Sequence, residues 1–451
     1  MTSRRQFLMG CSAAIASMAG GRVGNLIFAN PHAGGPAATT DDILVMVFLR
    51  GGCDGLSLVT PYDNPIYVAK RGDPSNGGLA VSGALDLAPN NSTFDSSIGL
   101  HPQAAPLKEL YDQGHLAIVH ACGLDNDTRS HFDAMDYIER GTPGNKNMSS
   151  GWLTRHLQCV HPDGTLPTLA AAAAAPISLL GEPDAVAMND TRSYRLSGGW
   201  HYTNNPDPRY KDAMLNTAQT FYTGGDPVLA AGKRTIETIR ALSGTTAYTP
   251  TTSYPDGDFG DSLQTVAQMI KLNVGLRIAT VDLGGWDHHE SEGVNDSWGP
   301  FNQLAATLSQ GLQAFYNDLP AHQSKLTVVV MSEFGRRLGK NLSNGTDHGH
   351  GNVMLVLGGQ VNGGKVYGTW PGLQDENLDQ HEDLKITTDF RKVLSEIVVR
   401  RLGNGKLGTV FPGITPQIYA STNRLGIVNG TDLPIDYSSA LNPVYLPMAR
   451  R

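Results

Sequence analysis

The 451-residue sequence predicts an α/β fold, with a mostly parallel central sheet sandwiched by helices. Two observations lead there. Continuous apolar runs of strand length recur along the chain, without the alternation of a half-exposed strand. Between them lie stretches whose apolar residues return every three or four positions, the period of a helix with one buried face.

In chain order, "ILVMVFL" (43–49) is β-branched and uncharged, as a strand buried on both faces should be. Residues 103–113 read as a helix, and "LAIVHA" (116–121) repeats the strand pattern. The alanine run Ala170–Ala175 carries no charge and reads as a buried segment rather than a linker. Residues 227–242 read as a helix. So does Asp261–Val274, which opens on an Asp or Ser cap and places Leu263, Val266, Ile270 and Val274 on one side. "LRIATVDL" (276–283) is the third strand. Leu304, Leu308, Leu312, Phe315 and Leu319 then mark an amphipathic helix from Phe301. "LTVVVM" (326–331) and "VMLVLGG" (353–359) are further strands, and "TTDFRKVLSEIVVRRLG" (387–403) is a helix stopping at Gly403.

This organisation gives one α/β domain over residues 43–420, a linker at 34–42 and an irregular Asn/Pro-rich tail at 421–451. The first 33 residues read as a leader. Arg4 and Arg5 precede a short apolar run too brief to span a bilayer, and "SRRQFL" has the form of a twin-arginine export signal. Cleavage after Ala19, Ala29 or Ala33 fits equally well. The expected location is therefore periplasmic or secreted, without stable membrane insertion once the leader is removed. Cys11 lies too early for a lipoprotein box. Without the leader three cysteines remain, Cys53, Cys122 and Cys159, so this is no disulfide scaffold and buried free thiols are expected. A formal net charge of −8 argues against a nucleic-acid partner, which a basic face would attract.

The chemistry gathers beside the apolar runs. "ILVMVFLRGGCDG" reaches Asp54 within five residues of its strand. "LAIVHACGLDNDTRSHFD" offers Asp125, Asp127, Arg129, Ser130 and His131; "ATVDLGGWDHHE" offers Asp287, His288 and His289; "VVVMSEFGRR" offers Glu333, Arg336 and Arg337. "GTDHGHGN" adds Asp347, His348 and His350. Ligands of open α/β sheets bind outside the carboxyl ends of the strands, so these segments are expected at one edge. Aspartates and histidines without a cysteine motif suit divalent ions such as zinc or manganese, ahead of calcium or magnesium. Their number exceeds what one tetrahedral ion needs, which points to two ions. Glu333 either orients a histidine or simply ends a strand. The neighbouring glycines allow tight bends and close approach to a ligand. Ser130 opens a helix with Asp133 three residues on, so capping competes with catalysis for it.

"FLRGGCDGLSLVTPY", "HPQAAPLKELYDQGHLAIVHACG", "RSHFDAMDY", "DLGGWDHHE" and the run from "VVVMSEFGRRLGKN" through "GTDHGHGNVMLVLGG" to "GTWPGL" resemble, in this order, the exported domain-of-unknown-function 1501 family over residues 43–415. That family is placed in the alkaline phosphatase and sulfatase superfamily, so the resemblance implies an alkaline-phosphatase-like sheet and a metal-dependent phosphate or sulfate ester hydrolase. It implies Asp54, Asp347 and His348 around one ion, and Asp287, His289 and His350 around the other. His350 departs from the superfamily pattern, where the last histidine comes well downstream of the Asp-His dipeptide. The resemblance also implies an attacking hydroxyl, for which Ser130 is the candidate and Thr128 the second. Arg336 is the candidate to hold the non-bridging oxygens of a small anionic ester. "CGLDNDTR" at Cys122 lacks the Cys-x-Pro-x-Arg pattern of sulfatases that use a modified cysteine. The competing reading is a non-catalytic, metal-binding envelope protein acting as a binding or assembly factor.

Overall fold

The structure is a computed structural model that describes residues 40–438 apart from 88–93, 192–193, 195–207, 225–226 and 244–247. The leader, most of the linker and the end of the tail lie outside the described residues. In chain order the strands are β1 (Ile43–Leu49), β2 (Val59–Thr60), β3 (Leu85–Asp86), β4 (Gly99–Leu100), β5 (Leu116–Gly123), β6 (Thr168–Ala170), β7 (Ala185–Ala187), β8 (Ile278–Leu283), β9 (Leu326–Ser332), β10 (Asn352–Gly358), β11 (Lys365–Tyr367) and β12 (Thr388–Asp389). The central sheet runs β11-β5-β10-β9-β1-β8-β6-β7, with β12 beside β5; β2, β4 and β3 form a separate small sheet.

The expected α/β architecture is present. All seven residues of β1, β9 and β10 and all eight of β5 are buried, as their unbroken apolar runs require. Helices cover both faces. On one side Val45, Val47 and Leu49 pack with residues of helices 105–112, 258–271 and 300–317. On the other, Leu44, Met46 and Phe48 pack with helices 131–140, 152–160 and 390–400.

Within the central sheet, pairing is parallel except around β10, which is antiparallel to both β5 and β9. An apolar run does not encode direction, so this reversal was not legible in the sequence. Its consequence is local. Leu49 of β1 lies in register with Leu283 of β8 and Ser332 of β9, and Cys122 of β5 faces Asn352, the first residue of β10. The carboxyl ends of four strands and the beginning of a fifth therefore share one edge. The segments 50–54, 124–131, 284–289, 333–337 and 347–351 all issue from it.

Boundaries shift by small amounts. The helix expected at Asp261–Val274 spans Asp258–Lys271, with Asp258 and Asp261 in its first turn, and it stops before Asn273, whose φ of 52° is left-handed. The helix expected at 387–403 spans Phe390–Arg400, with the Asp389 carboxylate accepting from the Arg391 amide as its cap. The alanine run corrects its expectation: Ala170 and Ala171 are buried beside the sheet, but Ala173, Ala174 and Ala175 are exposed. Cys53 and Cys122 are buried free thiols, and burial pushes both well above the usual thiol range.

Candidate metal centre

Four loops meet at this edge. The turn after β1 passes so close to the loop after β8 that a Cβ on Gly51 would lie 2.7 Å from the Asp287 amide nitrogen, and Gly51 holds a φ of 119°. A Cβ on Gly345 would lie 2.3 Å from the His289 carbonyl carbon. These glycines serve loop-on-loop contact rather than approach to a ligand.

Arg336 fastens the loops together. Its Nε donates to the Gly52 carbonyl at 2.7 Å, and Nη1 to the Thr346 carbonyl at 2.8 Å. Its Nη2 donates to the carbonyls of Gly51 and Trp286 and, at 2.6 Å, to Asp287 Oδ1. The side chain is buried and its donors are spent on four carbonyls and one carboxylate. Its observed work is positioning Asp287, whereas the sequence cast it as the arginine holding the ester oxygens.

Around Asp287 three imidazoles gather. His131, Asp287 and His348 each offer a ligand atom, and these atoms all lie within 4.8 Å of one another. His131 Nε2 is 3.3 Å from Asp287 Oδ2, and His348 Nε2 is 3.2 Å from Oδ1. His289 Nε2 is 3.1 Å from Asp287 Oδ1 and 2.9 Å from His348 Nε2. Burial acts to raise the Asp287 carboxyl, but the Arg336 hydrogen bond and charge outweigh it and hold the group down at about 2. The carboxylate is thus ionised throughout the neutral range. A set of imidazole nitrogens and one carboxylate, 46% exposed and open to solvent, has the donor chemistry a divalent ion of the zinc class takes.

Of the residues singled out in the sequence, Asp287, His289 and His348 are brought together here, and Asp347 stands directly behind, its Oδ1 3.0 Å from His289 Nδ1. Asp54 is elsewhere. It is fully buried, and both its oxygens are taken by Arg71, one of them at 2.9 Å from Nη2. Glu292, also fully buried, sits within hydrogen-bonding reach of Asp54 and accepts from the Thr346 hydroxyl at 2.9 Å. His350 is also turned away, with Nε2 3.2 Å from the Leu124 carbonyl and Nδ1 3.1 Å from Asp379 Oδ2. Ser130 is exposed and caps helix 131–140 through a long contact, 3.4 Å, from the Asp133 amide. Thr128 Oγ1 accepts from the Ser130 amide at 3.2 Å.

Two members had no motif to announce them. His131 follows Ser130 in the loop after β5 and carried only its position as a signal. Glu333, buried beneath it, lies 2.8 Å from His131 Nδ1 and accepts from the Gly51 amide and the Ser332 hydroxyl, each at 2.9 Å. Of the two roles open to Glu333 in the sequence, its contact with a histidine is the one the structure displays. That hydrogen bond is the largest cause holding the His131 imidazole above its usual value.

A protein in the alkaline phosphatase superfamily from Vibrio parahaemolyticus aligns with a TM-score of 0.32 at 10% identity, over 79% of this chain and 69% of that one. The C-terminal periplasmic domain of EcEptC from Escherichia coli, solved in complex with Zn, aligns with a TM-score of 0.33 at 8% identity, over 73% of this chain and 77% of that one. No curated protein matches the chain. The family model described as a protein of unknown function, DUF1501, matches residues 41–397, and by that match the chain belongs to the DUF1501 family.

Proposed function

We propose that this protein is an exported, metal-dependent hydrolase of phosphate or sulfate esters. The observation that carries the reading is the convergence of His131, Asp287 and His348 ligand atoms within 4.8 Å at the carboxyl edge of the sheet, where α/β enzymes bind their ligands. Export through the twin-arginine leader belongs to the same proposal. Among the described residues, no helix is long and apolar enough to cross a membrane.

His131, Asp287, His289 and His348 would hold the ion. Bound there, it supplies Lewis acidity, drawing electron density from the ester and easing proton loss from the attacking oxygen. The chain's own groups do the rest. Arg336 holds Asp287 in place, and Glu333 and Asp347 hold His131 and His289. Ser130, exposed and adjacent to His131, is the proposed attacking hydroxyl. Its oxygen bonds to phosphorus or sulfur, its proton passes to solvent, and the ester's leaving oxygen departs and takes up a proton. Water then attacks the covalent intermediate, restoring the hydroxyl and releasing the inorganic anion.

The test pairs metal analysis of the purified protein with assays on phosphate monoesters, phosphate diesters and sulfate esters. Turnover that disappears on chelation and returns with added ion is the expected result. A metal-replete protein inert toward all three classes would transfer the proposal to the binding or assembly role.

A further inference from the structure

The three imidazoles share a pattern that narrows the chemistry. Each presents Nδ1 to a group that can only accept a hydrogen bond: Glu333 Oε1 at 2.8 Å from His131, Asp347 Oδ1 at 3.0 Å from His289, and the Arg129 carbonyl at 2.7 Å from His348. Each Nδ1 therefore carries a proton, and in the neutral imidazole, the form that binds a metal, the lone pair lies on Nε2. The Nε2 atoms of His289 and His348 then face each other, and all three Nε2 atoms face Asp287. The contacts of 2.9, 3.1, 3.2 and 3.3 Å described above become acceptor against acceptor. His131 Nε2 is buried and makes no hydrogen bond. A proton placed on any one Nε2 relieves only the contacts of that atom. A cation at the centre relieves all of them. Ligands of a tetrahedral ion with bonds of about 2.0 to 2.1 Å are separated by about 3.3 Å, close to these spacings.

We infer that this is a single-ion centre of the zinc class, held by Nε2 of His131, His289 and His348 and by the Asp287 carboxylate. Glu333, Asp347 and the Arg129 carbonyl are the outer groups that lock the three tautomers. Three nitrogen donors favour zinc or cobalt over calcium and magnesium, which take oxygen ligands in larger number. The inference rests on the reading that this cluster is the functional centre, and it departs from the two-ion arrangement implied by the family resemblance. Asp54 is paired with Arg71, and His350 lies apart from Asp287, with Nε2 3.2 Å from the Leu124 carbonyl and Nδ1 3.1 Å from Asp379 Oδ2. His131 takes a ligand position that the resemblance did not assign to it.

The experiment titrates the full chain, stripped with chelator, with Co²⁺ and then displaces the Co²⁺ with Zn²⁺, reading visible absorption and stoichiometry. One equivalent per chain with the intense bands of four-coordinate cobalt is expected. His131→Ala and His289→Ala should each weaken binding by at least about 100-fold and change the spectrum. Glu333→Gln should weaken it about 10- to 100-fold while keeping the band shape. His350→Ala should leave both unchanged. Two equivalents per chain, a wild-type spectrum and affinity in His131→Ala, or loss of the site in His350→Ala would overturn the assignment. Far-ultraviolet circular dichroism of each stripped variant monitors folding; if His131→Ala does not fold, Glu333→Gln decides by the same criteria. Ester hydrolysis is read separately. One equivalent that depends on His131 but supports no turnover defeats the hydrolase reading alone. Turnover beside an unchanged cobalt spectrum in His131→Ala defeats this inference alone.

Discussion

Asp54 and Asp287 leave neighbouring strands, β1 and β8, within a few residues of the same sheet edge, each among glycines. Asp54 ends fully buried against an arginine, while Asp287 stands 46% exposed among imidazoles. What separates them is the partner that tertiary structure brings. Arg71 comes from the helix Pro65–Arg71 and offers a fork that fits both Asp54 oxygens, so that carboxylate is buried and neutralised by a guanidinium rather than facing a metal. Arg336 approaches Asp287 with only one nitrogen, because its others serve backbone carbonyls. A carboxylate held at one oxygen is positioned but still available.

Four substitutions or conditions test this contrast. The largest effect is expected from Arg71→Met. It leaves Asp54 charged and buried beside Glu292, and breaking a buried pair in this way costs about 3–5 kcal/mol. Denaturant melts should show that loss; a variant as stable as wild type would show that the pair contributes nothing. Asp287→Ala should do the reverse, with stability within about 1 kcal/mol of wild type because the side chain is half exposed. Metal affinity should nonetheless fall by about 100-fold or more, read by equilibrium dialysis. Unfolding of the stripped Asp287→Ala protein would contradict the contrast.

The third test uses pH. Burial and the Asp54 charge push the Glu292 carboxyl up to about 8, so the folded protein keeps a proton that the unfolded chain releases near 4.5. Its contribution to stability is therefore complete below 4.5 and declines as pH rises toward 8. Glu292→Gln, an isostere of the protonated acid, should flatten that decline in melts taken across this window. A slope unchanged in Glu292→Gln would assign the pH dependence to another group. Ser130→Ala is expected to cost only about 1 kcal/mol, for loss of a helix cap. The same variant separates cap from nucleophile, since turnover at the wild-type rate would remove Ser130 from the proposed reaction.

The legible parts of the sequence were those encoded locally. Unbroken apolar runs located β1, β5, β8, β9 and β10 within two residues, because a strand buried on both faces has no other composition available. The clusters "WDHHE" and "GTDHGHGN" were visible because several ligand-type residues fall within single short segments. What stayed hidden depends on partners far along the chain. His131 owes its place to Glu333, 202 residues away, and Asp54 is claimed by an arginine that no spacing rule links to it. The helix Trp152–Val160 was missed because Thr154, Arg155 and His156 are buried with its apolar residues, which blurs the helical stripe. His350 shows the same limit, since one residue separates it from His348 and yet the two rings reach different carbonyls, Arg129 for His348 and Leu124 for His350.

The reach of Arg336 has a consequence for the order in which the molecule matures. One guanidinium ties together the loops after β1 and β8 and the approach to β10 through contacts that need no ion. The placement of Asp287 is then a product of folding alone. Under the proposed reading, such a site would need no ion in order to fold, so export of the folded chain and loading of the ion would be separable events.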